Sequence, residues 1–87
     1  MITLKQICCA CPESYDIYEN SIYIGHIGVR YGRVTFSKLI ESNPFDEYVN
    51  VYSDYIEGDG LFESDEERSF HLYCIINLLG HTHYEIT

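Results

Sequence analysis

The chain has 87 residues, 46% of them hydrophobic and 15% aromatic, with a formal net charge of −9. Residues 1–87 fit one domain. No apolar run reaches the ~20 residues of a membrane span, and nine Tyr with four Phe give too much to bury for a disordered chain. Met1 to Ile7 holds one base and no long apolar core, so no signal peptide is expected and the location reads as cytoplasmic.

In chain order, the first ten residues are the least readable. Ser14 to Glu19 has strand composition, Asn20-Ser21 signals a turn, and Ile22 to Tyr31 alternates. Tyr23, Gly25, Ile27, Val29 and Tyr31 fall on one face, with Ile22, Ile24, His26, Gly28 and Arg30 on the other. Period two around a short turn predicts an antiparallel hairpin. The two glycines inside its second strand suggest a bulge or the close approach of another backbone or ring. Val34 to Phe36 reads as a third strand after a Tyr31-Gly32-Arg33 turn, and Phe45 to Tyr55 as a fourth after Asn43-Pro44. Glu57 to Gly60 is loop. Ser64 and Glu67 fit a capping box, so a helix starts at Ser64, carries Phe70, Tyr73, Cys74, Asn77 and Leu78 at helical spacing, and stops at Gly80. Residues 81–86 could add a short closing strand. The expected fold is α+β: a three- to four-stranded antiparallel sheet with one C-terminal amphipathic helix packed on a face.

The charge is asymmetric. Residues 1–44 balance Lys5, Arg30, Arg33 and Lys38 against Glu13, Asp16, Glu19 and Glu41. Residues 45–87 set Arg68 alone against Asp46, Glu47, Asp54, Glu57, Asp59, Glu63, Asp65, Glu66, Glu67 and Glu85. Such a field disfavours direct nucleic-acid binding and favours basic protein surfaces, above all those that normally hold nucleic acid. The same acidity also serves plain solubility.

Cys8 and Cys11 form a C-x-x-C pair, and His71 and Cys74 lie three apart on the predicted helix, so the four could hold a tetrahedral zinc. His81 and His83 are alternative ligands. Free thiols, with Cys74 filling the core, are the competing reading. No local motif supports a nucleophilic triad, and no enzyme activity is expected. The acid-rich stretch Asp54 to Glu67 lacks the EF-hand register for calcium. The Ile24 to Arg33 stretch puts His26, Gly28 and Arg30 on one strand face, with Arg33 nearby. Arg30 could grip a phosphate or carboxylate, with Tyr31 or Tyr23 as a stacking platform on the opposite face; pairing across strands with Asp16 or Glu19 is the plainer alternative.

Cys11-Pro12-Glu13-Ser14-Tyr15-Asp16, followed by the Gly/Arg-rich strand to Arg33 and the acidic Gly58 to Arg68 segment, resembles a family of small uncharacterised phage and prophage proteins. The sequence departs from that pattern at His26-Ile27-Gly28. The resemblance implies a phage setting, in the cytoplasm of a host cell, and no mechanism. In size and charge the chain is similar to phage anti-defence inhibitors of the anti-CRISPR kind.

Three functions follow. The first is a non-enzymatic inhibitor of a host defence or nucleic-acid-binding protein. It would dock through Asp54, Glu57, Asp59, Glu63, Asp65 and Glu66, with exposed Tyr48, Tyr52 and Tyr55 as aromatic anchors. The second is a sponge for a nucleotide signal using His26, Arg30, Tyr31 and Arg33, across a homodimer. The third is an interaction module stapled by zinc through Cys8, Cys11, His71 and Cys74. The first leads.

Overall fold

The structure, a computed structural model, describes residues 1–8, 12–41 and 45–87. Strands β1 (Ile2–Cys8), β2 (Ser14–Glu19), β3 (Ile22–Arg30), β4 (Arg33–Glu41) and β5 (Glu47–Tyr55) are followed by helix α1 (Asp65–Leu78) and strand β6 (Tyr84–Ile86). They form one six-stranded sheet in the order β5-β4-β3-β2-β1-β6. The first five strands are an antiparallel meander, and β6 returns to pair in parallel with β1.

This corrects the expected three- to four-stranded antiparallel sheet with a C-terminal helix. The protein is mostly β and the sheet is six-stranded and mixed, while β6 falls where a short closing strand was expected after the helix. The unexpected strand is β1. Only Ile2 and Leu4 mark its buried face, because Gln6 takes the third inward position, paired with Tyr15, and Ile7 points to solvent. With two apolar residues in phase, the period-two signal is too short to read.

The core lies between one sheet face and α1. Ile2, Leu4, Tyr15, Ile17, Ile27, Val29, Val34 and Phe36 point inward, and Phe62, Leu72, Ile75 and Ile76 cover them. The helix face differs from the expected one: His71, Leu72, Ile75 and Ile76 are buried, whereas Phe70 and Leu78 are each 60% exposed. From Phe70 to Leu78 the helix carries apolar residues on nearly every side, so spacing alone could not say which stripe faces the sheet. Gly80 ends it as expected, at φ 82°, with its N–H on the Asn77 carbonyl and the His81 N–H on that of Ile76.

The Asn20-Ser21 and Tyr31-Gly32 turns have positive φ at both central residues, the type I′ geometry that matches strand twist. Within β3, the pairing slips at Ile17/Tyr18, so that Ile17 faces Gly25 and Tyr18 faces Tyr23. That irregularity moves Tyr23 off the Gly25 face, and its ring meets Tyr18 edge-on at 5.7 Å. Gly25 is where another chain segment comes close: a Cβ there would lie 2.5 Å from the Ser37 carbonyl and 2.8 Å from the Phe36 ring. One of the two strand glycines is therefore explained by packing.

Candidate functional site

The acidic loop is built rather than loose. Gly32 N–H donates to the Asp59 carbonyl at 2.8 Å, Ile56 N–H to the Gly32 carbonyl at 3.0 Å, and Glu13 N–H to the Gly60 carbonyl at 2.7 Å. Ser64 caps α1 by accepting from the Glu67 N–H at 3.1 Å. The other half of the capping box is used differently. Glu67 does not turn back to Ser64; its carboxylate accepts from the Glu57 and Glu63 N–H groups, each at 2.9 Å. The first helical turn thus holds both shoulders of the loop, and Glu57, Asp59, Glu63 and Glu66 project to solvent.

Beneath the loop is a buried ion pair that sequence reading missed. The Glu13 side chain is 1% exposed and accepts from Arg68 Nε at 2.8 Å, Arg68 Nη2 at 3.3 Å, the Phe62 N–H at 3.2 Å and the Tyr15 hydroxyl. Burial alone would raise its pKa, but the Arg68, Tyr15 and Phe62 hydrogen bonds and the Arg68 charge outweigh it, and the carboxyl sits below its ordinary value. Burial, then Glu13, pushes the Tyr15 hydroxyl up. Arg68 also meets Asp65 at 2.6 Å. The one Lys or Arg of residues 45–87 is therefore consumed, and among the described residues no Lys or Arg pairs with the exposed Glu57, Asp59, Glu63 or Glu66. Arg68 standing alone among acids was the available clue; its partner, 55 residues away, was not legible.

The expected docking residues are only partly brought together. Glu57, Asp59, Glu63, Asp65 and Glu66 line the loop and the helix start. Asp54 joins them from the end of β5, exposed, with Oδ2 3.9 Å from His71 Nδ1. Tyr55 is 74% exposed and lies under the Arg33 guanidinium at 4.9 Å. Tyr48 is exposed but sits seven residues back along β5, roughly 20 Å away, where its hydroxyl meets that of Tyr23 at 3.2 Å. Tyr52 is not an exposed anchor. It faces inward opposite Phe36, its hydroxyl 2.8 Å from His71 Nδ1, and burial, with Cys74 and Asp54, pushes its pKa up to about 12.

The basic set divides too. Arg33 is engaged by Ser53 Oγ at 2.7 Å and by Tyr55. Arg30 is exposed and lies 5.8 Å from the Tyr31 ring centroid. The acids considered as its partners are taken: Asp16 by His26 at 2.9 Å, and Glu19 by His81 at 2.5 Å. Of the zinc set, Cys11 lies outside the described residues. His71 and Cys74 share a side of α1 around the Tyr52 hydroxyl, and His71 is stacked on Phe62 with Tyr52 and Phe70 edge-on. Among the described residues, no three His, Cys, Asp or Glu side chains are grouped to hold a metal. No helix among them is long and apolar enough to cross a membrane.

Comparison of the chain with family models, curated proteins and solved structures returned no match.

Proposed function

We propose that this chain is a non-enzymatic binding protein, of the kind that inhibits a host defence protein, and that its acidic loop docks on a basic, nucleic-acid-binding surface of that partner. The observation that carries this reading is the fixed shape of the loop. Carboxylates at Asp54, Glu57, Asp59, Glu63 and Glu66 are displayed on backbone tied to Gly32, Glu13 and Glu67, so little ordering remains for association to bear. A partner that binds nucleic acid offers Lys and Arg spaced for phosphates, and the loop presents rigid negative charge to them. Tyr55 at the loop's edge supplies an aromatic anchor.

The test is capture from a bacterial lysate on the immobilised protein, eluted by a salt gradient and challenged with duplex DNA. Wild type is expected to hold nucleic-acid-binding proteins that DNA displaces and that elute as salt rises. The Glu57→Lys/Asp59→Lys/Glu63→Lys/Glu66→Lys variant is expected to lose them, and Arg33→Ala to keep them. Capture indifferent to salt and to charge reversal overturns the reading.

A further inference from the structure

Gly28 stands near the middle of the sheet face that α1 leaves uncovered. Its cross-strand neighbours are Ser14 on β2 and Thr35 on β4, and its same-face neighbours along β3 are His26 and Arg30. The missing side chain leaves a hollow of about 340 Å3 walled by those four residues and closed by Pro12 and Glu13. Packing does not require this glycine. Unlike Gly32 and Gly80 it is not in the left-handed region, and among the described residues a Cβ would meet only His26 Nε2 at 3.8 Å and Cδ2 at 3.9 Å, ordinary contacts. A mid-strand glycine weakens a strand without return unless something occupies its space.

The wall is lined by donors. Among the described residues Arg30 has no carboxylate partner. The Asp16 carboxylate holds His26 Nδ1 at 2.9 Å, which fixes the ring with Nε2 over the hollow. Of the two acids at its border, Glu13 is paired with Arg68 and the Asp16 carboxylate is turned to His26 Nδ1. We propose that this hollow binds the phosphate of a nucleoside monophosphate. Arg30 grips two phosphate oxygens and the Ser14 and Thr35 hydroxyls donate from either side, with the His26 ring closing the end of the hollow opposite Arg30. The nucleoside has a place as well. A second hollow of about 320 Å3 shares Pro12 and Arg30 with the first and adds Tyr31, Asp59 and Gly60. Tyr31 offers a ring face for the base, and the Asp59 carboxylate accepts from sugar hydroxyls. Tyr31 holds a left-handed φ of 55° while 80% exposed, a conformation that Asn or Gly adopts with less strain.

Isothermal titration of AMP, GMP, CMP and UMP, with inorganic phosphate and the free nucleosides alongside, tests this. At least one nucleotide is expected to saturate the wild-type protein about ten-fold or more tightly than inorganic phosphate. Gly28→Val fills the hollow and is expected to abolish binding while leaving the melting temperature level or higher. Arg30→Gln, at an exposed position that the fold does not rely on, is expected to weaken binding about ten-fold or more, as loss of a charge-assisted contact does. Arg33→Ala is expected to leave it intact. No saturable binding of any nucleotide, or binding that survives both Gly28→Val and Arg30→Gln, overturns the site. Inorganic phosphate binding as tightly as the best nucleotide overturns the nucleoside assignment. None of these arms touches the charge-reversal positions of the acidic loop other than through Asp59, which stays wild type throughout.

Discussion

Glu13 joins four parts of the chain: its carboxylate takes Arg68 from α1, the Tyr15 hydroxyl from β2 and the Phe62 N–H, and its own carbonyl accepts from Val29 on β3 at 3.0 Å. Removing a buried charge's partner costs more than the pair contributes, because the survivor is left desolvated. Glu13→Ala is therefore expected to lower unfolding stability by about 3–5 kcal/mol in urea melts. The pH dependence has a definite sign. A carboxyl held below its ordinary 4.5 in the folded state binds protons more readily when unfolded, so its contribution is full above about pH 4.5 and drains away as pH falls below it. Urea midpoints followed from pH 7 to pH 3 are expected to fall less steeply below pH 4.5 in Glu13→Gln than in wild type. At this scale the sequence was legible where chemistry is local. The turn at Asn20-Ser21, the cap at Ser64 and the stop at Gly80 depend on residues a few positions apart. The Glu13–Arg68 pair and the inward turn of Tyr52 depend on register across the sheet, which local pattern does not carry.

Among the elements, the junction of the loop and α1 has the clearest division of labour. Ser64 satisfies the helix, whereas Glu67 satisfies the loop. Ser64→Ala is expected to cost about 1 kcal/mol of stability, as lost caps do, and to leave the loop closed. Glu67→Ala is expected to release the loop instead, and Glu-C protease to cut after Glu57 or Glu63 several-fold faster than in wild type or Ser64→Ala. Equal cleavage of all three would remove the assigned role of Glu67. The hairpin of β2 and β3 was readable because Ile27 and Val29 alternate with polar neighbours. The helix was readable as a helix but not in its rotation, since the exposed Phe70 and Leu78 are as apolar as Leu72, Ile75 and Ile76, which it buries. β1 lacked a third inward apolar residue, and its pairing with β6 joins segments that no local rule connects.

For the whole molecule, the decisive quantity is the −9 charge gathered beyond residue 44. Like charges on one loop and helix start repel each other when folded, and counter-ions relieve this over a Debye length of ~8–10 Å in physiological salt. Added sodium chloride is therefore expected to raise the melting temperature while it weakens partner association. The Glu57→Lys/Asp59→Lys/Glu63→Lys/Glu66→Lys variant is expected to show a flatter response in its melting temperature. The acidic half and its exposed carboxylates were legible from composition, whereas the placing of Tyr48 and Tyr52 away from them was not. The hollow at Gly28 was only half legible: His26 and Arg30 follow from alternation, but Ser14 and Thr35 enter from other strands.

The sheet's order also bears on how the chain is made. β1 is made well before β6: it pairs on one side with β2, and its other edge waits for Tyr84–Ile86, which follows the helix. Until β6 is made that edge, on a strand that carries Ile2, Leu4 and Ile7, is open to other nascent chains, and Lys5 is the one charge on it. The parallel β1–β6 pair is thus the step that retires a sticky strand.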